Sequence, residues 1–301
     1  MLRLVFVFLA LAFVAPAQLV TAVRASLSAK DFAGGEQLLR AYRDARGVTP
    51  EYVEAYSWLG RGAQANKLWE KASAYAAETR KLVAAELKKR PLDAEPSVPL
   101  ALGAAIEVEG HSLAATGRLS EALAMMNQEL KTYFGTSIRT RIQKNIHLLS
   151  LVGKPAPALD LKRFLSGPQM KSLEQLKGKP VMLFFWAHWC ADCKVVGPVL
   201  TALKKQHPSL QIVALTQTYG YVAGGEEVGP AVEVPYMEKV RAQYYPDLLQ
   251  VPAPLSGENF KRYGSSTSPT LVLVDKAGIV RMYHPGAMSA AELAPFVEKV
   301  L

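Results

Sequence analysis

The sequence predicts an all-α helical domain followed by an α/β carboxy-terminal domain, on three observations. Residues 26–150 are rich in Ala, Leu, Glu, Lys and Arg, with apolar positions at helical spacing. From about residue 152 the chain turns to short, continuous apolar runs separated by helical patterns. Its two cysteines, Cys190 and Cys193, stand directly behind the strongest of those runs. A length of 301 residues fits about two domains. With 50% hydrophobic and 20% charged residues, disorder, collagen and a disulfide-dense miniprotein are excluded. The +9 formal charge comes from 35 basic and 26 acidic residues without a long Lys/Arg run, which gives no support for nucleic-acid binding and leaves acidic partners open.

The first element is an address. Met1-Leu2-Arg3 is a short positive start, Leu4 to Ala15 is apolar and uncharged, and Ala15-Pro16-Ala17 offers small residues to a signal peptidase. This predicts a signal peptide over 1–17. A cut after Ala25 and an uncleaved anchor reaching about Val23 are the other two readings, and only the anchor keeps the protein on a membrane. No cysteine lies near the junction, so lipoprotein attachment is not available.

The helical domain follows over 26–150. Leu38, Leu39 and Tyr42 form one apolar cluster; Trp58, Leu59, Trp69, Tyr75 and Leu82 fall in a second region, and Leu113, Leu119, Leu123, Met126 and Leu130 in a third. Breaks are expected at Gly47 to Pro50 and across Pro91 to Pro99. Gly60, Trp69 and Ala72 recur 50 residues later as Gly110, Leu119 and Ala122, a spacing of small and bulky residues that resembles a tetratricopeptide hairpin. An ordinary helical bundle explains the same residues, and either version serves as a protein-docking surface or a spacer.

The carboxy-terminal domain is expected over 152–301. Gly153 to Pro157 denies helix, and strands are predicted at Val181–Trp186, Ile212–Leu215 and Leu271–Val274. Asp275 to Gly278 turns the last of these into a hairpin with Ile279–Tyr283. Helices are expected near 191–206, 236–245 and 290–301, the last opened by a Ser289/Glu292 capping box.

The chemistry lies in Trp189-Cys190-Ala191-Asp192-Cys193-Lys194, which follows a strand and opens a helix. At a helix amino terminus the unpaired N–H groups and the dipole favour a thiolate on Cys190. Cys193, one turn on, is within reach of a disulfide. The first sulfur is expected to be exposed and to exchange with a partner, and the second to resolve the mixed disulfide.

Trp-Cys-x-x-Cys-Lys with Pro198 resembles the thioredoxin active-site helix, and Ser268-Pro269-Thr270 before an apolar strand resembles the cis-proline loop of that fold. The stretch Ser172 to Pro180 is similar to the same region of TlpA/ResA-type exported thioredoxin-like proteins. The resemblance covers 152–301 and implies a thioredoxin fold acting as a protein thiol–disulfide oxidoreductase without a cofactor. Trp189, Ser268, Pro269 and Thr270 would line the substrate groove, and Asp192, Lys194 and Pro198 would modulate the pair. It also implies protein thiols or disulfides as substrates, an upstream redox protein as partner, and a bacterial periplasmic or outer-face location.

Two departures stand out. The positions where thioredoxin and ResA-like proteins carry a buried acid hold Phe184 and Val196 here, so the proton acceptor for Cys193 is open among Lys194, Asp192, Glu174 and water. Asp192 between the cysteines opposes a thiolate and favours the disulfide, which predicts a reducing pair. The sequence offers no second cysteine pair for structural zinc, while Cu(I) on the two thiolates and a histidine, His188 or His284, is the competing reading. A peroxidase is disfavoured, because Ala-His-Trp precedes Cys190 in place of the usual Pro and Thr/Ser. The loop Thr216 to Glu227 exceeds what a thioredoxin needs and is expected either to frame the cysteines or to be a plain connection.

Overall fold

The computed structural model describes residues 16–301, so the charged start and apolar run of the predicted signal segment lie outside the described residues. The chain forms two compact units, one ending at Arg118 and one spanning Leu119–Leu301. The division thus falls earlier than the change of texture near residue 150.

The first unit is helical: α1 (Pro16–Ser28), α2 (Phe32–Arg46), α3 (Pro50–Ala65), α4 (Trp69–Leu87) and α5 (Ser97–Ala115). Thr49 starts α3 by accepting the Tyr52 N–H at 3.2 Å, with Pro50 where a missing N–H costs nothing. Leu39, Val53, Leu59, Ala72, Val83 and Ile106 are buried together with Leu19 and Val23 of α1. Two turns in this unit have the same geometry 50 residues apart. Leu68 N–H donates to Ala63 O at 2.9 Å and Arg118 N–H to Leu113 O at 2.8 Å, each across a left-handed residue, Lys67 or Gly117.

The second unit begins with α6 (Leu119–Thr132) and α7 (Arg139–Ser150). It then builds β1 (Val181–Phe185), α8 (Ala191–Gln206), β2 (Gln211–Leu215), α9 (Pro230–Tyr244), α10 (Gly257–Tyr263), β3 (Thr270–Val274), β4 (Val280–Pro285) and α11 (Ala290–Glu298). Helix α9 starts earlier than the sequence suggested, because Pro230 suits a first-turn position. Helix α10 was not foreseen; seven residues carry too little periodicity to stand out. The sheet order is β2-β1-β3-β4, with β1 parallel to β2 and antiparallel to β3, and β4 closing the hairpin.

Alternation along the strands divides two cores. Met182, Phe184, Leu271 and Leu273 pack with Val196, Leu200, Met237, Leu293 and Val297 of α8, α9 and α11. Val181, Leu183, Phe185, Val272 and Val274 pack with Phe260 and Tyr263 of α10. Helix α7 belongs to this unit by direct docking on α10. His147 Nε2 sits 2.8 Å from Arg262 O, and Gly264, which ends α10 in the left-handed region, lies so close to α7 that a Cβ would overlap the Lys144 backbone nitrogen.

Candidate active site

Strand register gathers the predicted residues at one end of the sheet. Phe185, the last residue of β1, pairs with Leu215 at the end of β2 and with Thr270 at the start of β3. The segments 186–190, 216–229 and 265–269 therefore leave from the same edge. Thr216 Oγ1 donates to Trp186 O at 3.0 Å and Trp186 N–H to Leu215 O at 2.9 Å, tying the first two.

Cys190 is the N-cap of α8 and Cys193 lies in its first turn. The two form a disulfide with a Cα–Cα separation of 5.3 Å, and Cys193 N–H donates to Cys190 Sγ at 3.0 Å. Against expectation, Cys190 is only 3% exposed; Trp189, at 47%, is the open face of the motif. Asp192 and Pro198 are exposed on α8, and the Lys194 ammonium stands 4.5 Å from the Tyr244 ring centre. Proline inside α8 removes an N–H from the ladder. The Ser268–Pro269 peptide bond is cis, Pro269 and Thr270 are buried, and Ser268 is half-buried.

Glu174 does not reach this site. It is exposed, pairs with Lys177, and lines a hollow with Val181, Val274 and Asp275, at the other end of the strands, about 13 Å away along β1. Phe184 and Val196, which occupy the usual acid positions, are fully buried in the apolar core.

A buried acid is nonetheless present, on an element that the motif did not indicate. Glu233 in the first turn of α9 is 0% exposed and accepts the N–H groups of Tyr219 at 2.6 Å and Gly220 at 3.0 Å. Its Oε1 is 3.3 Å from His188 Nε2, and His188, 1% exposed, is surrounded by the rings of Tyr219, Tyr221 and Tyr236. Burial lowers the His188 pKa from the ordinary histidine value, with Glu233 opposing the shift and Lys194 adding to it. Glu233 thereby fastens the loop after β2 to the segment that carries Cys190. Tyr219 then lies edge-on to Trp189, with ring centres 5.5 Å apart. The only sequence signal for Glu233 was its place behind Gly229-Pro230, where a first-turn acid is ordinary.

Among the described residues no three His, Cys, Asp or Glu side chains are grouped to hold a metal ion, and His188 faces Glu233. A pocket of about 250 Å³ opens beside Trp189, bounded by Gln217, Tyr219, Ser265 and Ser268, with Thr140 of α7 on its wall.

Comparison with known proteins agrees with this geometry. The thioredoxin-like domain family matches residues 169–301. The thiol:disulfide interchange protein DsbE of Xylella fastidiosa is 32% identical over 143 residues, 46% of this chain and 64% of that protein, so the chain spans less than two thirds of this relative. The thioredoxin-like protein YneN of Bacillus subtilis is 30% identical over 146 residues, 47% of this chain and 75% of YneN. The thiol-disulfide oxidoreductase ResA of Bacillus cereus is 29% identical over 151 residues, 50% of this chain and 78% of ResA. With a paired Cys-x-x-Cys at a helix amino terminus, a cis-proline loop across from it in the sheet register and these relatives, the chain belongs to the thioredoxin-like family.

Proposed function

We propose that this protein is an exported oxidoreductase that reduces protein disulfides through Cys190 and Cys193. The observation that carries the reading is the disulfide between these two residues at the start of α8, with Cys190 Sγ already accepting a helix N–H. In the reduced protein the same N–H and the helix dipole favour a Cys190 thiolate. That thiolate attacks one sulfur of a substrate disulfide; a mixed disulfide forms and the other substrate sulfur leaves as a thiolate. Cys193 then passes its proton through water to the thiolate released first and attacks Cys190 Sγ. The Cys190–Cys193 bond forms, the second substrate sulfur departs, and two electrons have passed to the substrate. An upstream protein dithiol returns them by the reverse exchange, so no bound cofactor is required.

Asp192 in the first turn of α8 favours the disulfide over a free thiolate and supports the reducing direction. For export, burial of Leu19 and Val23 in the helical unit favours cleavage after Ala17 over an anchor reaching Val23 or a cut after Ala25, since either alternative would withdraw both side chains from that core. Among the described residues no helix is long and apolar enough to cross a membrane. The matched turns ending at Leu68 and Arg118 support a tetratricopeptide-like hairpin arrangement in the first unit, with a role in docking a partner protein.

A redox titration of the mature protein, trapping free thiols by alkylation and reading mass, tests the reading. A reversible two-electron transition near or below about −250 mV is expected. A value near about −120 mV would reverse the direction, and the absence of a reversible transition would remove the oxidoreductase reading.

A further inference from the structure

We propose that the pocket beside Trp189 and Ser268 is a subsite for a substrate carboxylate located near the reacting cysteine. The inference rests on the oxidoreductase reading and adds to it a class of substrate. The pocket adjoins the chemistry on two sides, because Trp189 precedes Cys190 and Ser268 precedes the cis-proline.

Two of the residues that line it, Ser265 and Tyr219, carry buried hydroxyls that find no acceptor in the protein. Ser265 Oγ, on a residue 5% exposed, and Tyr219 Oη are both buried and make no hydrogen bond. The side chains of Gln217 and Ser268 approach Tyr219 Oη as donors, so its own O–H proton is the part left without an acceptor. Desolvation pushes the Tyr219 hydroxyl far above its ordinary pKa, so it remains a donor at any working pH. Buried hydroxyls without partners are costly, and a ligand that supplies acceptors removes the cost.

The charge around the pocket selects the ligand. No carboxylate lines it, while Lys261 does. The neighbouring Glu258 is bonded to Lys261 at 2.7 Å and lies 3.8 Å from Arg139, with Arg262 also acting on it, so three cations surround one acid. A carboxylate brings two acceptor oxygens to two donors under a net positive rim; a neutral amide brings one acceptor and no charge. At about 250 Å³ the space is small for a drug-sized ligand and ample for one acidic side chain. Part of the wall, Thr140, comes from α7, outside the residues 169–301 that match the family. This makes the subsite a feature of this chain's own architecture.

The test uses the full mature protein and disulfide-linked peptides that differ only beside the cysteine: Glu, Gln or Ala. The Glu peptide is expected to be reduced about tenfold more efficiently than the Gln peptide, mainly through KM. In Tyr219→Phe/Ser265→Ala, which removes two oxygens and little volume, that ratio should fall toward one; Lys261→Met should lower it in part. Glutathione disulfide and its ethyl ester, run in parallel, distinguish a small carboxylated thiol from a peptide side chain as the source. A preference in either arm that is lost in the double variant supports the site. Equal rates for all substrates in the unmodified protein would overturn it, as would a preference that survives the double variant. If none of the substrates is reduced and no reversible redox transition is found, the oxidoreductase reading fails and the subsite with it. A normal redox transition without a carboxylate preference removes the subsite alone.

Discussion

The two ends of the four-stranded sheet handle their polar groups in opposite ways. At the β3–β4 turn, Asp275 accepts the N–H groups of Ala277 and Ile279, both at 2.9 Å, and Arg281 Nε at 2.7 Å. Desolvation raises its pKa, but these bonds outweigh it and hold the carboxyl below the ordinary aspartate value. The three donors that Asp275 answers all lie within six positions of it. At the Phe185–Thr270 end, Glu233 reaches across from α9 to hold the Tyr219–Gly220 backbone and His188, while Tyr219 Oη and Ser265 Oγ have no partner. Local closure gives a stable turn. Long-range tethering with donors left over gives a shaped surface that a second molecule can complete.

Breaking the reactive end itself should have the largest effect. Cys193→Ser is expected to reduce multiple-turnover disulfide reduction to background and to accumulate a mixed disulfide on Cys190, visible as a mass increase. The tether comes next. Glu233→Ala leaves the part-buried N–H groups of Tyr219 and Gly220 and the buried His188 without an acceptor and should cost about 2–3 kcal/mol in denaturant unfolding. It should also hasten proteolytic cleavage within 220–227, while Glu233→Gln, which keeps an acceptor oxygen, costs less.

Acid should distinguish the two ends without mutation. The His188 pKa is lowered, so as pH falls the unfolded chain takes up this proton before the folded protein does. Stability drops as pH falls below the ordinary histidine value of about 6.5, with His147, also lowered by burial, contributing to the same window. Asp275 is lowered as well, so its contribution is present above the ordinary aspartate value of about 3.9 and is lost as pH falls through the folded pKa. Unfolding midpoints measured from pH 7 to pH 3 should therefore decline in two steps, with the first reduced in His188→Asn. The smallest effect is expected at the closed turn. Asp275→Ala should cost about 1–2 kcal/mol and leave the redox potential unchanged.

Much of the site was legible because its signals are local. A strand, a Trp-Cys-x-x-Cys motif and a Ser-Pro-Thr before the next strand are each contiguous, and the register that joins them follows from the fold they imply. Glu233 was not legible, since its meaning comes from a loop 13 residues away and a histidine 45 residues away, and no short pattern records such a bridge. The low exposure of Cys190 was missed for the same reason: its surroundings are set by packing, whereas its position at a helix start is set by sequence. Placement of α6 and α7 with the second unit was hidden by their helical texture, which matches that of the first.

The contact between α7 and α10 bears on how far the catalytic module can be moved. Gly264 meets the Lys144 backbone with no room for a methyl group, and His147 caps the interface through Arg262 O. Cutting the chain at residue 169, where the family match begins, would strip a fitted surface from α10 and take Thr140 from the pocket wall. The compact unit that holds the cysteines starts at Leu119. Grafts between relatives at the conventional edge would then transfer the cysteines without the α7 part of the pocket beside them.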